Sequence, residues 1–97
     1  MIYSEFKDRL LVAFMRAANA ALKADPNSFG IVNARDAAVD AGFPEQEQWL
    51  LDAVKGFETN AWIEKVVAWR DGPLVRFTDS GREQAERTLL RLHGLTH

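Results

Sequence analysis

Chemistry in this chain would have to come from two histidines and fourteen carboxylates, because there is no cysteine. His93 and His97 lie at the C-terminal end, where chain ends are commonly loosely held, so they read as surface histidines. The carboxylates are scattered and show no pairing that would set one up as acid and another as base. Without cysteine there is no disulfide framework, thiol nucleophile or zinc-thiolate site. Gly30, Gly42, Gly56 and Gly72 are too far apart for a phosphate-cradling loop, and metal-ligand spacing is absent. The expectation is a protein that is not an enzyme and carries no cofactor or metal.

What remains is recognition, and charge bears on that directly. The formal net charge is −2. Residues 1–44 hold five cations and five anions, residues 45–60 hold one cation and four anions, and residues 61–97 hold six cations and five anions. No segment is strongly basic, which counts against a nucleic-acid partner, since phosphate contacts supply most non-specific affinity. No apolar run approaches the roughly 20 residues that span a bilayer, so no membrane partner is expected. Glu5, Lys7, Asp8, Arg9 and Arg16 interrupt the N-terminal apolar residues, unlike a signal peptide. The expected location is the cytoplasm.

The elements that must position any contact residue follow from periodicity and punctuation. With 97 residues, 47% of them hydrophobic, the chain suits one domain over residues 1–97. Phe6, Leu10, Ala13, Phe14, Ala17, Ala21 and Leu22 recur at helical spacing, predicting a first helix over about 3–24. Ser4 is its expected N-cap, and Pro26 ends it. Phe29 to Val32 suggests a short edge strand. Asn33 should cap a second helix, Ala34 to Ala41, burying Ala34, Ala37, Ala38 and Ala41. Gly42 is a natural left-handed stop, and Pro44 can open a third helix, 45–58, with stripe Trp49, Leu50, Ala53, Val54 and Phe57. Ala61 to Trp69 and Leu74 to Phe77 read as strands joined at Asp71-Gly72. Thr78 should cap a last helix, Asp79 to about Leu92, with core residues Ala85, Leu89 and Leu92.

The resulting order is helix, strand, helix, helix, strand, strand, helix: an α+β chain, mainly α. Two helices joined by a tight glycine turn and followed by a hairpin make the order of a winged helix-turn-helix. The stretch Phe77-Thr78-Asp79-Ser80-Gly81-Arg82-Glu83 resembles the hydrophobic-Thr-x-x-Gly-Arg segment that closes the wing in MarR-like and PadR-like bacterial regulators. Asn60-Ala61-Trp62-Ile63-Glu64-Lys65 is similar to the lead from recognition helix into wing, with Asn60 where glycine is common. The resemblance covers about residues 5–92. It implies a winged-helix fold, while leaving the ligand open, since fold does not fix function.

In such an arrangement the second helix of the pair enters the major groove. Its outward residues would be Gln48, Leu51, Asp52, Lys55 and Thr59. Gln48 suits an adenine edge, and Lys55 suits a phosphate or guanine, whereas Leu51 and Asp52 do not. Arg35 at the second helix's start, with Lys65, Arg70 and Arg76 on the hairpin, are the remaining DNA-contact candidates. Strand alternation puts Val66, Ala68, Val75 and Phe77 on the core face and Val67, Trp69, Leu74 and Arg76 on the other. Leu51, Val67, Trp69 and Leu74 are therefore candidates for a partner or dimer surface. The first helix is long and alanine-rich on one side, with Ala17, Ala18, Ala20 and Ala21, and the resemblance implies subunit pairing through such a long terminal helix, the alternative being a helix packed on its own domain. The leading expectation is a double-stranded-DNA-binding transcriptional regulator acting as a homodimer. The alternative is a winged-helix protein-interaction or assembly module that binds no DNA.

Overall fold

The computed structural model describes residues 2–43, 47–69 and 72–94; the side chains of Ser28, Val67, Ala68, Trp69 and Pro73 lie outside that description. The described residues form an α+β, mainly helical fold of four α-helices and a small antiparallel sheet.

The first helix, α1, spans Tyr3–Ala24 and is the axis of the core. It begins before Ser4, which is not a cap: Phe6 N–H donates to the Ile2 carbonyl, and Ile2 stands at the cap position without a side-chain bond. Tyr3 is drawn into the helix because its ring stacks near Phe6 and against Trp49, with centroids 6.4 and 5.6 Å away. At the far end Asp25 turns to extended backbone ahead of Pro26, as a residue before proline prefers. The buried face is broader than the simple stripe. Leu11, Met15 and Ala18 are buried with Phe6, Leu10 and Phe14, whereas Ala13, Ala17, Ala21 and Leu22 are half-buried. The reason is position: α1 touches every other helix, so more than one side is covered.

A 3-10 turn, Pro26–Ser28, and left-handed Phe29 and Gly30 delay the extended chain. The first strand, β1, is therefore only Val32–Asn33, shorter than the 29–32 run suggests. Asn33 then caps the second helix, α2 (Ala34–Asp40), its Oδ1 accepting from Asp36 N–H at 3.0 Å. Ala34, Ala37 and Ala38 are buried. Ala41 is exposed, contrary to expectation, because it already forms the helix C-cap. Gly42, at φ +89°, completes the stop, and Phe43 N–H donates to the Ala38 carbonyl at 2.8 Å. Pro44 and Glu45, expected to open the next helix, lie outside the described residues. The third helix, α3, spans Glu47–Thr59 and packs Leu50, Ala53, Val54 and Phe57 inward.

The second and third strands, β2 (Ile63–Trp69) and β3 (Gly72–Phe77), form an antiparallel hairpin, with β1 on the other side of β3. Ile63 faces Phe77 and Lys65 faces Val75, but the next pair is Val67 with Leu74, so Val66 is an extra, bulged residue. This corrects the simple alternation. Val66 is not in the core but 42% exposed, and past the bulge the backbone of Val67 pairs with Leu74.

The fourth helix, α4 (Asp79–Gly94), runs antiparallel to α1, tied by Asp8–Arg91 at 2.6 Å and Asn19–Arg82 at 3.0 Å. Its start is fixed by one threonine. Thr78 Oγ1 accepts from Gly81 N–H at 3.0 Å and donates toward the Ala61 carbonyl at 2.6 Å. A side chain at Gly81 would place its Cβ 1.7 Å from the Trp62 carbonyl oxygen, so glycine is required there by contact with the α3–β2 connection. The core closes around Phe14 and Phe57, edge to face at 6.0 Å, with Ile63, Val75 and Ala85.

Candidate docking surface

The outward side of α3 is set by its inward one. With Leu50, Ala53, Val54 and Phe57 buried, the helical period leaves Gln48, Leu51, Asp52, Lys55, Glu58 and Thr59 exposed. Leu51 stands 46% exposed in the middle of that row. The described part of the helix carries Glu47, Asp52 and Glu58 against the single cation Lys55.

The five described candidates for DNA contact do not form one cationic set. Arg35, at the start of α2, pairs with Glu47 at the start of α3 at 2.5 Å. Gln48 Nε2 donates to Asp52 Oδ1 at 3.0 Å along α3, so its amide is shared with an acid one turn on. Arg76 lies directly across from Glu64 in the hairpin, and both its Nε and Nη2 reach Glu64 Oε2 at 3.0 Å. Lys55 and Lys65 are exposed. Arg70 lies outside the described residues. All these ion pairs are solvent-exposed, and each contributes at most about 1 kcal/mol to stability. Their larger effect is local charge cancellation.

Of the expected partner-surface residues, Leu51 is exposed and Leu74 is half-buried opposite Val67 in the sheet. The Val67 and Trp69 side chains lie outside the description. Two features escaped the sequence reading. The Arg35–Glu47 and Arg76–Glu64 pairs join residues 12 positions apart, which no local spacing rule brings together. The bulge at Val66 leaves no mark in the alternation of residue types.

The N-terminal turn of α1 joins α3 on the same side of the core. Lys7 Nζ sits 5.1 Å from the Tyr3 ring centre. Burial raises the Tyr3 phenol above its ordinary pKa, and the nearby Asp52 carboxylate raises it further. Among the described residues no group of three or more His, Cys, Asp or Glu side chains is placed to hold a metal ion. Nor is any helix among them long and apolar enough to cross a membrane. No family model, curated protein or solved structure matches the chain.

Proposed function

We propose that the chain is a winged-helix domain that works as a protein-docking module through the exposed side of α3, and that it is not an enzyme. The fold reading rests on the order of elements, the Gly42 turn between α2 and α3, and a hairpin whose β3 pairs with β1. The docking reading rests on one observation above the others. The α3 row presents an exposed leucine, Leu51, flanked by Glu47, Asp52 and Glu58, with one lysine. An apolar centre inside a charged rim is the anatomy of a protein interface. The rim's sign selects a partner whose apolar socket is edged by cations.

The second reading, a homodimeric DNA-binding regulator, is supported by the same order of elements and by exposed Gln48, Lys55 and Lys65. Against it, Arg35 and Arg76 are each held by a carboxylate, and three acids of α3 would approach the phosphates. Each costs affinity that counterion release would otherwise supply.

The docking reading is tested by recovering partners with the tagged chain and with its Leu51→Arg variant, both checked for folding by circular dichroism. Because Leu51 is exposed, the variant stays folded and loses a partner that the parent retains. An identical set of partners for the two proteins would remove the α3 surface from consideration.

A further inference from the structure

Away from α3, a cleft of about 290 Å³ opens between α1, the C-terminal end of α4 and the turn that follows α2. Its lining is apolar at the base, where Val12, Phe43, Leu89 and Leu92 meet, and carries two arginines, Arg9 and Arg16, at the exposed rim beside His93. None of the described lining residues is acidic, in a chain whose net charge is −2. That local reversal of sign is the unusual feature.

The two arginines differ. Arg9 is paired with Glu5 one turn earlier on α1 at 2.8 Å. Arg16 makes no ion pair with a described residue. It also borders a neighbouring hollow of about 280 Å³ that shares Ala13 and Ala41, and Asp40 lines that hollow but not the first cleft. The first cleft therefore offers Arg16 with no acid among its described lining residues.

We propose that this cleft binds a small organic monoanion with an apolar chain, a medium-chain carboxylate. The chain lies on Val12, Phe43, Leu89 and Leu92, and the carboxylate takes the fork of Arg16, whose paired N–H groups match two oxygens. The volume stands at the lower end of ligand-binding cavities, which suits a chain of about eight carbons. With so few atoms and an exposed guanidinium, the expected Kd is about 0.1–1 mM. The site is independent of the α3 surface, so either can fail without the other.

The test is an amide NMR titration of the full chain with octanoate, with acetate and octylammonium as comparison probes. Octanoate should give saturable shifts at Val12, Ala13, Phe43 and Leu92. Acetate, lacking the chain, and octylammonium, carrying the opposite charge, should give none there. Arg16→Gln, at an exposed position, should keep the thermal midpoint and weaken octanoate by about fivefold or more, the loss of one charge-assisted contact. Asp40→Asn should leave the affinity unchanged or tighten it. Equal binding of octylammonium, shifts centred elsewhere, an unchanged affinity in Arg16→Gln, or no saturation within tenfold of the stated range would each overturn the proposal.

Discussion

Two backbone positions, one in the α3–β2 connection and one in α4 packed against it, decide how much of this fold a single side chain can upset. The helix closes with Ala61 N–H on the Glu58 carbonyl and Trp62 N–H on the Phe57 carbonyl, which places Ala61 at φ 59°. An L-residue in that conformation costs about 1–2 kcal/mol. Ala61→Gly should therefore raise stability by about 0.5–1 kcal/mol, part of the gain being offset by the freer unfolded chain. Gly81 is the converse case. Gly81→Ala must push apart α4 and the Trp62 carbonyl, and should cost about 3 kcal/mol or more. Urea unfolding of both variants measures the two signs together. Tyr3 offers a residue-scale test against pH. It is the chain's one tyrosine, so tyrosinate absorbance reads it alone. Burial and Asp52 favour its protonated form, so the midpoint should exceed the ordinary value of about 10. The folded state then holds a proton that the unfolded chain releases. Its contribution is present below pH of about 10 and is lost as pH rises toward the folded midpoint. In Tyr3→Phe that part of the alkaline decline should vanish, and a Tyr3 midpoint at or below the ordinary value would contradict the packing described for it.

At the scale of elements, α2 is the piece most dependent on its ends. It has seven residues, too few to be helical alone, and its buried side chains are only alanines. The Asn33 cap thus matters more than in a long helix. Asn33→Ala should cost about 1 kcal/mol, with amide exchange rising first in residues 34–40. The caps and stops at Asn33, Gly42 and Thr78 were legible in the sequence, because each is a local bond between residues a few positions apart. The inward stripe of α3 was legible too, since one helix against one core leaves a clean period. The full buried face of α1 was not, because its coverage depends on three helices from distant parts of the chain. Nor was Ala61, where the left-handed position falls one residue after Asn60, the place at which glycine is common in the regulators the stretch resembles. The short reach of β1 was hidden by Phe29, a residue whose type predicts strand but whose φ is 60°.

For the whole molecule, the distribution of charge separates the readings of function. The candidate contact cations sit on α2, α3 and the hairpin, yet two of the described arginines are cancelled by Glu47 and Glu64, and α3 itself is acidic. A surface of that kind gives up the sequence-independent attraction on which duplex binders rely. The helix and hairpin positions of these candidates were readable from the sequence, but the pairing of Arg35 and Arg76 with carboxylates was not, since it needed the tertiary fold. The most direct test is fluorescence anisotropy of a random labelled duplex titrated with the chain at low and at physiological salt. Docking through an acidic α3 predicts no saturable binding at either salt in the range of about 10⁻⁴–10⁻⁶ M where non-specific duplex binders fall. Saturation at low salt that weakens steeply as salt rises, and is lost in Lys55→Ala, would contradict it and establish the DNA reading instead.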